Sequence, residues 1–164
     1  MFKNYILFNP LANSNKGKKE ANNLKNDSSK YEQVFIDITK IDINDHISKI
    51  KNGDIITICG GDGTLHHFIN TTQNTNFANE VYYYPCGTGN DFANDIGVKF
   101  GDKPVEISNY LKDLPKVTVN GKTYTFLNNV GFGIDGYCTA VGDKMREENA
   151  KKINYTAIAI KGLL

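Results

Sequence analysis

Three glycines fall within four positions at Gly60, Gly61 and Gly63, with one carboxylate, Asp62, set among them and Thr64 just after. The group follows directly on the apolar run Ile55 to Cys59. A second glycine turn, Pro85-Cys86-Gly87-Thr88-Gly89-Asn90-Asp91, follows the next apolar run, Val81 to Tyr84. Glycine leaves backbone N–H groups unshielded, so a turn at a strand end can aim several of them at one anion. A helix opening at Thr64 would add its positive end. Two such junctions in series point to a phosphate-binding floor. A carboxylate in that setting requires a divalent cation or a hydrogen-bond donor to offset its charge, which makes Asp62 the candidate metal residue. Asp-Gly alone is an ordinary turn signal. Three glycines between a buried strand and a helix are not, because their backbone entropy cost calls for a close approach such as a ligand makes.

The elements that must hold these turns alternate. Tyr5–Phe8, Val34–Ile38, Ile55–Cys59 and Val81–Tyr84 read as short buried strands rich in β-branched and aromatic residues. Between them, Lys18–Leu24 reads as a weak helix. Ile43, Ile47 and Ile50 lie on one helical face that Asn52-Gly53 ends, and Leu65, Phe68 and Ile69 continue a stripe from Thr64. Asp91–Ile96 is a short helix stopped by Gly97, and Val105–Leu111 another before Pro115. Such alternation predicts an α/β fold with a parallel sheet, covered by helices on both faces, whose ligands sit at the carboxyl ends of the strands. After Pro115 the pattern becomes strictly alternating, Val117–Val119 and Lys122–Phe126 around Asn120-Gly121, a hairpin signal that predicts the start of a β-rich second domain. Leu127 to Gly136 adds a strand end and more glycines, and Asp143 to Lys152 is charged, a solvated loop or helix face. The predicted organisation is an α/β nucleotide-binding domain over 1–113 and an incomplete β-rich domain over 114–164. The apolar stretch Ile158 to Leu164, with nothing after it to cover it, leads us to expect the front part of a longer protein.

Composition narrows partners little. Nineteen basic and eighteen acidic side chains leave a net charge of +1, which gives no electrostatic case for nucleic acid or for strong adsorption to an acidic membrane. Cys59, Cys86 and Cys138 form no C-x-x-C pair and read as small buried thiols of a reducing cytosol. No apolar run approaches the length of a membrane span, so a cytoplasmic protein without a transmembrane segment is expected.

The motifs, taken together, resemble an ordered series. Asn9-Pro10, Gly60-Gly61-Asp62-Gly63-Thr64, Pro85-x-Gly87-Thr88-Gly89-Asn90-Asp91-Phe92-Ala93 and Phe126-Leu127-Asn128-x-x-Gly131-x-Gly133-x-Asp135 are similar to those of the diacylglycerol kinase catalytic-domain family, bacterial lipid kinases included. Gly-Gly-Asp-Gly-Thr alone is shared with NAD kinases, and phosphofructokinases carry a related form. The Gly-Thr-Gly-Asn-Asp-Phe string favours the lipid-kinase branch. No G-x-x-x-x-G-K-[ST] string is present, which excludes a Walker P-loop.

The resemblance implies an NAD-kinase- or phosphofructokinase-like nucleotide domain that holds ATP and Mg²⁺ in a cleft against a β-rich domain, while a lipid hydroxyl attacks the γ-phosphorus. It implies Asn9 and Thr39 as nucleotide contacts. Gly60, Gly61, Gly63 and Thr64 would cradle phosphate, and Asp62 would act on the metal directly or through water. Gly87 belongs to the second phosphate turn, Thr88 would contact phosphate or ribose, and Asn90 and Asp91 would shape the cleft. His66, just past the first turn, is a further candidate near the nucleotide. His67 reads as surface, and consecutive helical residues diverge too far to share one metal. The implied partner is a lipid substrate at a membrane surface, reached peripherally from the inner face, and a homodimer is left open.

The chain departs from the family pattern in three places. The loop after Asn9-Pro10 has no glycine before Gly17; Lys116-Val117-Thr118-Val119 lacks the family's strand aspartate, with Asp113 the nearest carboxylate; and the family's general base lies in an Asp-Gly-Glu motif expected downstream of Leu164. Asp135 reads as a turn residue rather than a replacement base, so transfer by this chain alone is expected to be very weak or absent. Two other readings stay open: a kinase with another acceptor, NAD or a sphingoid base, and a nucleotide-binding module without turnover.

Overall fold

The computed structural model describes residues 1–26, 30–147 and 153–163, in two compact units, Met1–Asn128 and Asn129–Leu164. The first unit is built on a five-stranded sheet of β1 (Lys3–Phe8), β2 (Glu32–Asp37), β3 (Ile55–Gly60), β4 (Val81–Pro85) and β5 (Val105–Glu106), in the order β2-β1-β3-β4-β5. The first four pair in parallel and β5 runs antiparallel on the edge. Central β3 is buried at all six positions, as a strand covered on both faces must be. Its one hydroxyl in that run, on Thr57, donates to Asn4 Oδ1 at 2.8 Å and so is buried at little cost.

Side chains alternate between two cores. On one face Leu7, Ile56, Ile58, Val81 and Tyr83 pack with helices α3 (Ile43–Ile47), α4 (Asp62–Thr72) and α5 (Asp91–Asp95), through Ile43, Ile47, Leu65, Phe68 and Phe92. On the other, past the single turn α1 (Ala12–Asn15), Ile6, Phe8, Cys59, Tyr84 and Cys86 meet Ala21 of helix α2 (Gly17–Asn22) and Leu24 just after it. The chain thus moves from β1 to β2 past a helix on one face, and from β2 over to β3 past a helix on the other. The reversal lies between β1 and β3, and at such a switch point the two connections diverge and open a crevice beyond the carboxyl ends of the strands.

Two expectations are corrected. Residues 105–111 are not a helix: Val105 and Glu106 pair with Tyr83 and Tyr82, Ile107 is fully buried, and the chain then turns. Pro104 biases Lys103 away from helical backbone, Val105 and Ile107 alternate at strand spacing, and the edge of β4 needs partners. Those partners are found where Ile107 N donates to Val81 O at 2.8 Å and Val81 N donates to Ser108 Oγ at 2.9 Å. Nor does a strand follow Phe126, since residues 127–133 are irregular.

The expected hairpin is present as a separate two-stranded antiparallel sheet, β6 (Lys116–Val119) and β7 (Lys122–Thr125), with Asn120 and Gly121 both at positive φ in its turn. Asn70 of α4 holds it, donating to Thr125 O at 2.7 Å and accepting from Thr125 N at 2.9 Å. The second unit contains α6 (Ile134–Glu147) and α7 (Tyr155–Leu163). They approach closely because Gly142 faces Tyr155 and Gly162 faces Tyr137, where any added Cβ would collide with the ring. The charged stretch expected at Asp143 to Lys152 is helical through Glu147, and its remainder lies outside the described residues.

Candidate nucleotide site

Both glycine turns leave the carboxyl edge of the sheet from adjacent strands. Gly60 pairs with Pro85, and Cys86 N donates to Gly60 O at 2.9 Å, so the turns begin side by side. They then touch backbone to backbone. A Cβ at Gly61 would sit 2.8 Å from Gly87 Cα, and one at Gly87 would overlap Gly61 Cα while lying 2.9 Å from Asn90 Oδ1. These two glycines are therefore required by the fold itself.

Asp62 joins the turns electrostatically. Its Oδ2 accepts from Asp91 N and its Oδ1 from Phe92 N, each at 3.0 Å, so a carboxylate of the first turn caps the helix that opens the second. The sequence reading required a cation or a donor to offset this charge, and the structure supplies donors. Asn90 shapes the second turn from within. It is buried, sits at φ 56, accepts from Gly87 N at 2.8 Å and donates to Gly87 O at 3.0 Å. Asp91 is exposed; its Oδ1 and Asp62 Oδ2 both lie beside Gly89. Thr88 stands exposed at the tip.

Asn9 ties the end of β1 into the same edge. Its Nδ2 donates to the buried Thr64 Oγ1 at 3.3 Å, its Oδ1 accepts from Leu11 N at 3.0 Å, and its N–H donates to Cys59 O at 3.3 Å. The glycine missing from the following loop is replaced by three residues in left-handed backbone, Asn13, Ser14 and Asn15, at φ 50, 54 and 68. Asparagine tolerates that region better than most residues. Gly17 then seats on the Asn9 carbonyl, where a Cβ would overlap the oxygen.

Gly63 differs from the other glycines of the first turn. Its φ is not positive, it is exposed, and beyond its chain neighbours and the backbone of its own helix no described atom lies within 4 Å of where a Cβ would stand. Thr39 is on the same edge but is not joined to the glycine turns: it closes the turn after β2, its N–H and hydroxyl both donating to Asp37 Oδ1 at 3.0 and 2.6 Å. The Thr39 hydroxyl bond, aided by the Thr39 amide and Lys40, holds Asp37 below the usual aspartate range. His66 points along α4 toward Asn70, whose Nδ2 lies 3.4 Å from Nε2, one turn beyond Asp62. His67 is exposed beside Thr71.

Several residues that build the site went unread in the sequence. Gly17 and Asn70 act through long-range contacts with no local signature. Beneath the floor, Cys59 and Cys86 are fully buried as the sequence implies, with Sγ atoms 3.4 Å apart, and that thiol contact, with burial, pushes Cys59 far up; Cys138, expected to be buried too, is only half-buried. Tyr83 keeps its hydroxyl buried without a hydrogen-bond partner among the described residues, and burial with the nearby Asp62 charge raises its pKa.

No group of three or more His, Cys, Asp or Glu side chains that could hold a metal exists among the described residues. Magnesium does not need one, because it keeps several waters and binds through one or two carboxylates together with substrate phosphates. Asp62 suits that role: each of its oxygens accepts one amide bond and retains a second lone-pair direction, with Asp91 Oδ1 close by.

A mostly parallel α/β sheet with paired glycine turns at its switch-point edge is the frame of a kinase-type catalytic domain. The family model described as "Diacylglycerol kinase catalytic domain" matches residues 3–119, well over half of the chain, and the protein belongs to that family of phosphotransferases. The matched span takes in β1, both glycine turns and β6. No curated protein matches the chain.

Proposed function

We propose that the chain is the nucleotide-binding part of an ATP-dependent lipid kinase, which moves the γ-phosphoryl group of MgATP to the hydroxyl of diacylglycerol or a related lipid. The observation that carries this reading is the junction of the turns: Gly61 against Gly87 and Asp62 bonded to the Asp91 and Phe92 amides make one continuous floor. Phosphoryl transfer asks the protein mainly for alignment and charge stabilisation, and convergent backbone amides suit both. The first amides of α4, at Asp62 and Gly63, have no acceptor within their own helix and are free by geometry to meet a phosphate. Gly63 supports the same conclusion by what it lacks. Neither its φ nor its surroundings require a glycine, so the approach of a ligand is the remaining physical reason for one.

In this reading Asn9, Gly60, Gly61, Gly63, Thr64, Gly87 and Thr88 surround the phosphates, while Asn90 fixes the second turn. Asp62, with Asp91 beside it, would hold Mg²⁺ directly or through water; bound there, the ion neutralises charge on the transferring group. Thr39 and His66 are proposed as peripheral nucleotide contacts, since neither bonds to the turns. The hairpin β6–β7 begins the second domain, over 114–164. The acceptor's proton is assigned to no described residue. A lipid acceptor places the enzyme peripherally on a membrane, and among the described residues no helix is long and apolar enough to cross one.

Titration of the chain with ATP and with NAD, each with and without Mg²⁺, tests the nucleotide. Radiolabel transfer from ATP by the protein to diacylglycerol, a sphingoid base or NAD tests the acceptor. Labelling of NAD and of no lipid would overturn the reading; MgATP binding with no transfer to any acceptor would leave a nucleotide-binding module instead.

A further inference from the structure

The three consecutive tyrosines of β4 differ in what their hydroxyls meet. Alternation along the strand turns Tyr82 and Tyr84 to one face of the sheet and Tyr83 to the other, where it joins the core with α3, α4 and α5. The Tyr82 hydroxyl donates to Glu80 Oε2 at 3.1 Å. Tyr83 is the largest of the fully buried side chains, and its Oη has no hydrogen-bond partner among the described residues. Phenylalanine would fill the same space without leaving a polar atom dry, so this oxygen is either a pure cost to the fold or serves a partner other than those residues.

Its surroundings single out Asp62. The Tyr83 ring centroid lies 5.9 Å from that of Phe92, and the Phe92 amide is the one that donates to Asp62 Oδ1 at 3.0 Å. Tyr83 pairs with Ile58; two residues on, Pro85 pairs with Gly60, and from there the first turn leads into α4, which begins at Asp62 and buries Leu65 in the same core. The phenol therefore stands beneath the junction of the two turns. Burial, and then the Asp62 charge, keep it protonated, so it has a proton to donate. No direct bond joins the two side chains, yet each Asp62 oxygen keeps a lone-pair direction after its amide bond. An internal water needs at least two polar partners, and this pair supplies them. We propose that Tyr83 is a positioning residue for Asp62: its hydroxyl donates to an internal water that donates in turn to the carboxylate, steadying it from the core side as the Asp91 and Phe92 amides steady it from α5. This inference rests on the metal role proposed for Asp62 and adds what orients that side chain.

Tyr83→Phe removes one oxygen and keeps the ring. In calorimetric titration of the full chain it should weaken ATP binding about tenfold in Mg²⁺, the lower end for an outer partner of a metal ligand, and hardly at all in EDTA. Tyr82→Phe, on the opposite face of the same strand, should leave both affinities unchanged. Chemical denaturation separates a purely structural tyrosine: if the oxygen is only a cost, Tyr83→Phe is more stable and binds MgATP in full, and that result overturns the role. Equal losses in Mg²⁺ and EDTA, or equal losses from the two tyrosine variants, would overturn it as well. A crystal structure of the nucleotide-free protein reads the inference without any nucleotide. An ordered water within hydrogen-bond distance of Tyr83 Oη and an Asp62 oxygen is expected, and an Oη with no polar neighbour contradicts it. If the wild-type protein holds that water but binds no MgATP, the proposed function fails while the link between Tyr83 and Asp62 survives.

Discussion

At the scale of single residues, the glycines of the two turns divide into those packed too closely to carry a side chain, Gly61 and Gly87 among them, and those, such as Gly63, that are not. Gly87→Ala would push a methyl group into the Gly61 backbone, which has no flexible end to yield, so a loss of about 1–3 kcal/mol in unfolding free energy is expected together with weaker MgATP binding. Gly63→Ala should act with opposite signs. It meets open space in the first turn of a helix and should raise stability by up to about 1 kcal/mol, as alanine is the better helix former, while lowering MgATP affinity. Chemical denaturation beside calorimetric titration reads both quantities; a stabilised Gly63→Ala variant with full affinity would show that no ligand comes near that position. Asp62→Asn removes the charge and one of two accepted bonds, a cost of about 1.5–3 kcal/mol. It should lower ATP affinity in Mg²⁺ by at least tenfold, roughly the 1.4 kcal/mol that defines that ratio, and much less in EDTA. An equal effect in both conditions would reduce Asp62 to a structural cap.

At the scale of elements, much of the fold was legible, and the failures have physical causes. Apolar runs of four to five residues bounded by Asn-Pro, glycine or polar turns located β1 to β4, because strands covered on both faces have little room for polar side chains. Val105 to Leu111 misled because a short apolar run fits either period, and the pull of the open edge of β4 is not written locally. The junction of the turns was legible only in part: each glycine turn announced itself, but the bonds from Asp62 to amides 29 and 30 residues away belong to tertiary structure. Asn70, which mimics a strand partner for Thr125, opens a polar run to Asn79 that reads as a surface connection, although α4 extends to Thr72. Asn70→Ala should leave two backbone groups of β7 without their partners and speed amide exchange there, with exchange in β3 unchanged. Helix α3 carries a pH response. Burial lowers the His46 pKa below its ordinary 6.5, with Nε2 buried without a hydrogen-bond partner among the described residues and the ring edge-on to Tyr5 at 5.5 Å. Above that value the imidazole is neutral in both states. As pH falls through it, the unfolded chain takes up the proton first, so stability declines until the folded pKa is passed. Thermal melts between pH 7.5 and 5.5, chosen to span about one unit either side of the ordinary histidine pKa, should show a falling Tm that His46→Phe blunts.

At the scale of the whole molecule, a net charge of +1 leaves composition silent about partners. The carboxyl edge of the sheet gathers what sequence treated as separate motifs, since Asn9 after β1, the first glycine turn and Thr64 after β3, and the second glycine turn after β4 meet there side by side. The central claim is that both turns serve one triphosphate, and backbone amide chemical shifts followed during MgATP titration test it most directly. Amides at Asp62 and Gly63 and those from Gly87 to Asn90 should shift together, at one shared half-saturation that moves to higher ATP concentration when Mg²⁺ is withheld. Shifts confined to one turn, two unrelated half-saturations, or changes only at sites away from this edge would contradict a single phosphate floor.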